Sequence, residues 1–181
     1  MNKIIPEFFV FDVDGVFTDG KFHYTADGKV MKTFGDADAD ALSLLKGKLY
    51  IHMVTGDKRG FPITKKRIAD DMRHPLDLVS TFERIEWIRE RFDPQKTIYM
   101  GDGIYDPLVF KHVGYSIAPA NAFYHTKDHA SHITQAKGGE GAVAEAVLHV
   151  LETFFEPFDI HNHVFDHESG SWTTNQSPGG K

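Results

Sequence analysis

The sequence contains no cysteine. That excludes disulfides, thiolate metal sites and a cysteine nucleophile, and it fits a cytoplasmic protein. Long apolar runs are missing too. None approaches the roughly 20 residues needed to span a membrane, and the opening MNKIIPEFF, broken by Pro6 and Glu7, is too short for a secretory signal. Positive charge is scarce: 20 Lys and Arg against 26 Asp and Glu leave a formal net charge of -6, which argues against nucleic acid as a partner. There is no internal repeat. His23, His52, His74 and His112 show no triad spacing, and no serine sits on a nucleophile elbow. What remains is a chain of 181 residues, 41% hydrophobic and 25% charged, suited to one globular domain with a sizeable core.

Apolar strand-like runs alternate with helical spacings. Phe8 to Val13, Tyr50 to Val54, Asp77 to Val79, Thr97 to Met100, Tyr115 to Ala118 and His132 to Thr134 read as strands. Ala39 to Lys46, Pro62 to about Met72, Phe82 to Phe92, Asp106-Pro107 to about Val113 and Gly141 to Phe155 read as helices, the last with Val143, Ala144, Val147, Leu148 and Leu151 on one stripe. Phe22 to Tyr24 and Val30 to Phe34 flank Ala26-Asp27-Gly28, a hairpin signal over residues 20–35. The pattern predicts an α/β fold: a Rossmann-like parallel sheet, helices on both faces, a small hairpin after the first strand and no large cap. It assigns 1–156 to this domain and 157–181 to a polar tail, where His161, His163 and His167 read as tail residues rather than a metal site.

In such a sheet the strands' carboxyl ends share one edge, where ligands bind. Three acidic or hydroxylic loops fall there: Asp12/Asp14, Thr55-Gly56-Asp57 and Asp102/Asp106. Two carboxylates crowded at a buried strand end repel unless a proton, a cation or a turn intervenes, and Gly15 permits a sharp turn. With Asp102 as a third carboxylate, a hard divalent cation with oxygen ligands is the natural compensation, and Mg²⁺ suits so few carboxylates. One carboxylate can then attack phosphorus while the other exchanges a proton, with the Thr55 hydroxyl and the Gly56 N–H as phosphate donors. Singly, Asp106 reads as a helix cap and Thr55-Gly56 as a turn; the combination carries the chemistry.

The segments FDVDGVFTDG, VTGD and MGDGIYD resemble the first, second and fourth motifs of the haloacid dehalogenase superfamily. The hairpin after DGVFTDG and the segment GGEGAVAEAV are similar to its small capless branch, which acts on 3-deoxy-octulosonate 8-phosphate and sialic acid 9-phosphates. The resemblance runs from about Phe8 to Leu151. It implies Asp12 as nucleophile, Asp14 as general acid/base, Mg²⁺ held by Asp12, the main-chain carbonyl of Asp14 and Asp102 with Asp106 in support, and phosphate bound by Thr55 and Gly56. It also implies a small phosphorylated sugar or sugar acid as substrate, and a homotetramer built through the hairpins. Phe22, Tyr24 and Phe34 are candidates for that contact, or for ordinary packing on the domain's own edge. Phosphomutase chemistry asks for a cap that the segment between Gly20 and Thr55 is too short to provide.

The third motif of the superfamily is a lysine, expected near the start of the Phe82 to Phe92 helix, where the sequence reads STFERIEWI. Arg84 and Lys58 are the candidate replacements, while Lys65 and Lys66 read as a solvated helix face. Asp57 stands where the branch often has arginine, and Ala144 and Glu140 stand at positions that are often basic. Asp38 matches a family aspartate; Asp36 and Asp40 read as solvent-facing. The missing lysine and the added acidity leave open a second reading, a binding or regulatory subunit with little turnover.

Overall fold

The structure, a computed structural model, describes residues 4–162. His163, His167 and the rest of the tail lie outside the described residues, and His161 is exposed.

Six parallel strands form one sheet: β1 (Phe8–Asp12), β4 (Tyr50–Thr55), β5 (Leu76–Leu78), β6 (Thr97–Met100), β7 (Tyr115–Ala118) and β8 (His132–Ile133). Their order is β5-β4-β1-β6-β7-β8, with β1 central and buried along its whole length. FFVFD is apolar on both sides because both faces of β1 are covered. Phe9 and Phe11 point to a core shared with α6 (Ala142–Phe154) and with Leu42 of α1 (Ala37–Leu42). Val10 points to the opposite core, with Trp87 and Ile88 of α3 (Arg84–Arg91) and Val109 and Phe110 of α4 (Pro107–Phe110). Helices therefore lie on both faces, as the alternation predicts. The order reverses at β1, so the carboxyl ends of β1, β4 and β6 meet at the switch point.

The hairpin is β2 (His23–Thr25) and β3 (Gly28–Met31), a separate antiparallel pair between β1 and α1. Phe22 and Tyr24 on it are exposed, whereas Phe34 packs against the main core and is not part of an exposed patch.

Several elements are shorter than their sequence patterns predict. The first helix starts early at Ala37, capped by the Asp36 carboxylate on its N–H, and tightens to a 3₁₀ turn over Ser43–Leu45. The helix at Pro62 is α2 (Phe61–Lys65), which widens into a π-helical stretch over Lys66–Asp71. The third helix begins at Arg84, not Phe82, and leaves Phe82 65% exposed. A short α5 (Tyr124–Lys127) was not expected from the sequence. On α6 the buried stripe is Val143, Ala146, Val147, Val150 and Leu151; Leu148, placed on it by spacing, is exposed. Asp36 and Asp40 do face solvent, while Asp38 is buried and accepts from the N–H groups of Val143 and Ala144, both at 3.0 Å. It thus caps the first turn of α6 from another element, since Gly141 has no side chain to do so. Among the described residues, no helix is long and apolar enough to cross a membrane.

Candidate active site

At the tip of β1, Asp12 accepts the Val13 N–H on Oδ1 at 2.8 Å. The chain then turns through Gly15 at φ +83°, a left-handed conformation that glycine adopts without strain. The same glycine is required sterically, because a β-carbon there would occupy the place of the Asp102 carboxylate. The Thr18 hydroxyl accepts from the Gly15 N–H at 3.1 Å, and the Asn121 side chain ties the Gly15 carbonyl (3.0 Å) to the Gly138 N–H (2.6 Å). The GG segment before α6 thereby braces the first loop.

Asp12, Asp102 and Asp106 each present a carboxylate oxygen within 4.8 Å of the others. Arg84, from the first position of α3, lies buried among them. Its Nη1 is 2.7 Å from Asp12 Oδ2 and 3.1 Å from Asp106 Oδ1, and its Nη2 is 3.1 Å from Asp12 Oδ1. This forked contact is what a guanidinium offers and an ammonium cannot. The Tyr99 hydroxyl donates to Asp106 Oδ1 at 2.9 Å and also meets Arg84. Asp106 occupies the cap position of α4 but does not cap the helix. Its carboxylate turns into the site and accepts from the Gly103 N–H at 2.8 Å, which corrects its reading as a simple cap.

One guanidinium does not balance three carboxylates. Burial pushes the Asp12 carboxyl up to about 6 despite the opposing Arg84 charge. Burial, together with the charges of Asp12 and Asp106, pushes Asp102 up to about 8. The shortage of positive charge shows in these raised carboxyls, and a hard divalent cation fits this all-oxygen donor set.

On the hairpin side, Asp14 accepts from the Thr55 hydroxyl at 2.9 Å and pairs with Lys32 at 2.6 Å. Lys32 has a fully buried side chain; it also reaches Asp57 at 2.8 Å and the Thr64 hydroxyl at 2.7 Å. Lys29 pairs with Asp57 as well. Burial alone would raise the Asp57 carboxyl, but its hydrogen bonds from Lys29 and Lys32 win and hold it down at about 2. Thr55 is buried at the end of β4; Gly56 beside it is exposed.

The structure therefore brings together Asp12, Asp102, Asp106 and Arg84, with Asp14 and Thr55 linked beside them. It does not draw in Lys58, which is exposed and forms no ion pair among the described residues. Lys65 and Lys66 pair with Asp70 and Asp71 in solvent. Sequence reasoning missed Lys29, Lys32, Tyr99 and Asn121. The available signal for the lysines was their position in GKVMK, at the far end of a hairpin that must fold back beside the strand it follows.

Residues 87–147 match the family described as haloacid dehalogenase-like hydrolase. The 3-deoxy-D-manno-octulosonate 8-phosphate phosphatase of Haemophilus influenzae is 31% identical over 152 residues, which cover 81% of this chain and 83% of that protein. The cobalt-bound structure of the Haemophilus influenzae phosphatase superposes with a TM-score of 0.73 at 28% identity, covering 84% of this chain and 91% of that one. The Moraxella catarrhalis phosphatase, solved with magnesium, phosphate and 3-deoxy-D-manno-octulosonate, shares the fold with a TM-score of 0.68 at 22% identity, over 81% of this chain and 86% of that one. Motifs, sheet order and sequence likeness agree, and the chain belongs to the haloacid dehalogenase superfamily, as a phosphatase of its capless branch.

Proposed function

We propose that this phosphatase hydrolyses the phosphomonoester of a small sugar or sugar acid through an aspartyl-phosphate on Asp12, with Mg²⁺ as its cation. The observation that carries the reading is the cluster of Asp12, Asp102 and Asp106 around one point, with Asp14 and Thr55 beside it. Asp12, Asp102 and the main-chain carbonyl of Asp14 would hold Mg²⁺, supported by Asp106. When bound, the ion neutralises charge between the carboxylates and the phosphate.

In the first step a carboxylate oxygen of Asp12 forms a bond to phosphorus as the bond to the sugar oxygen breaks, and the Asp14 carboxyl gives its proton to that oxygen. In the second, Asp14 takes a proton from water, the water oxygen attacks phosphorus, and the acyl-phosphate bond breaks to restore Asp12 and release phosphate. Arg84 orients Asp12 and takes the place of the third-motif lysine. Thr55 and the Gly56 N–H serve the phosphate oxygens. Arg84 against Asp12 favours turnover over a purely binding role, because the cation that the sequence lacks as lysine is supplied from the same helix start. The exposed Phe22 and Tyr24 support a tetramer joined through the hairpins.

The test is phosphate release from 4-nitrophenyl phosphate and a phosphosugar panel. Release should depend on Mg²⁺ and vanish in Asp12→Asn; turnover that survives in that variant, or that ignores the metal, overturns the mechanism.

A further inference from the structure

The site spends its positive charge on its own carboxylates. Among the described residues, three cations are drawn into it: Arg84, Lys29 and Lys32. Arg84 is taken by Asp12 and Asp106, Lys32 by Asp14 and Asp57, and Lys29 by Asp57. The lysine side chains are 4% and 0% exposed, so neither has a face left for a further anion. With Asp102 included, five carboxyl groups face these three cations, so the site has room for a divalent cation but no cation to spare for a further anion. Lys58 and Arg59 follow on the same loop but stand in solvent, where water and salt screen them. A carboxylate on the substrate would lose its hydration at this site and gain no desolvated partner.

The rim points the same way. Phe82, two residues before Arg84, lies against Tyr105, the neighbour of Asp106, with ring centroids 4.8 Å apart. Across Asp102, whose carbonyl accepts from the Phe123 N–H at 3.0 Å, Phe123 lies against Tyr124 at 4.6 Å. All four rings are exposed. Aromatic faces beside a polar site suit the C–H faces of a sugar ring.

We propose that the leaving group is uncharged and presents an apolar face: a neutral phosphorylated sugar rather than a sugar acid, with Asp57 excluding the acid by occupying Lys29 and Lys32. This rests on the phosphatase reading above and narrows its substrate.

The experiment measures binding, so that it does not depend on turnover. Asp12→Asn protein with Mg²⁺ is titrated with inorganic phosphate, with glucose 1-phosphate against glucuronic acid 1-phosphate, and with glucose 6-phosphate against 6-phosphogluconate. In at least one pair the neutral member should bind more tightly than inorganic phosphate and about tenfold or more tighter than its acidic counterpart. Asp57→Asn, which frees Lys29, should narrow that gap by about tenfold. Phe82→Ala should weaken the neutral member alone. An acidic member that binds as well as its neutral partner, a gap indifferent to Asp57→Asn, or no sugar exceeding inorganic phosphate each overturns the inference. Failure of wild-type protein to release phosphate from 4-nitrophenyl phosphate and from every member of the phosphosugar panel, while the binding preference holds, would instead sink the phosphatase reading and leave the preference standing.

Discussion

The two halves of the site are built differently. The sheet half, Asp12, Asp106, Arg84 and Tyr99 with the half-buried Asp102, lies mostly inside the protein and hangs on β1, β6 and the starts of α3 and α4. The hairpin half, Asp14, Thr55, Asp57, Lys29 and Lys32, joins the β4 loop to a two-stranded ribbon that is otherwise exposed. In the first, carboxylates outnumber the cation, an imbalance that a divalent metal fits. In the second, two lysines meet two aspartates and the charges close among themselves. On the proposed reading the first half suits an ion, while the second fixes the proposed proton-transfer group, Asp14, and offers nothing to a further anion.

The largest effect tests the sheet half at its centre. Asp12→Asn removes the proposed nucleophile and proposed metal ligand with little change of shape, and should lower kcat by about 10³-fold or more, read as phosphate release under saturating Mg²⁺. Its melting temperature should move little, because the lost Arg84 contact is offset by relief of repulsion from Asp102 and Asp106. Next is Arg84→Met, which leaves Asp12 and Asp106 without their buried cation. A loss of about 3 kcal/mol in urea unfolding is expected. Arg84→Lys should fold but lose the fork to Asp12, with kcat down by about tenfold. Were Arg84→Met as stable as wild type, the guanidinium would not be what holds the carboxylates together.

Lys32→Met strikes the other half. It frees Asp14 to move and should lower kcat by about tenfold to a hundredfold. Mg²⁺ affinity, measured by calorimetry, should stay within about twofold, because the three-carboxylate cluster is untouched. A comparable loss of Mg²⁺ binding in Lys32→Met would mean that the two halves act as one.

The halves also differ in how far the sequence announces them. Asp12 ends a buried apolar run, and Asp102 stands one glycine past another with Asp106 in the loop that follows, so the apolar runs and the turn residues place them on one edge before any contact is known. Arg84 is legible as the nearest cation to a helix start. Its fork to Asp12 is not, because 72 residues separate the partners and only the packing of α3 beside β1 sets the distance. Lys32 was only weakly signalled, for a different reason. It lies just past the end of β3, where strand periodicity no longer says which way a side chain points, and the hairpin touches the site through tertiary folding alone. Phe82 misled because its spacing continues the α3 stripe, while the helix starts two residues later and the ring is left at the rim. Asp106 alone reads as a cap, and only the combined motifs mark it for the site, because N-cap chemistry and site chemistry want the same residue at the same place.

The smallest effect lies outside both halves and separates stability from site chemistry. His74 is buried just before β5, and burial lowers its pKa to about 4. The native state therefore prefers the neutral ring, while the unfolded chain accepts a proton near the ordinary value of 6.5. Stability from this group is fully present above that value and is lost as pH falls toward 4. Between pH 7.5 and 5.5 the linkage amounts to about 1 kcal/mol. Wild type and His74→Gln compared by urea unfolding at both pH values should differ in their pH dependence by that amount, with wild type the more acid-sensitive. The carboxylates of the site titrate in both proteins and cancel from the comparison. A His74→Gln protein with the same pH slope as wild type would mean that the ring takes up its proton as readily inside the fold as in the unfolded chain. Asp12 and Asp102 could not take over that role, because carboxyls that burial raises above the ordinary 3.8 bind protons more readily in the native state and stabilise it as pH falls.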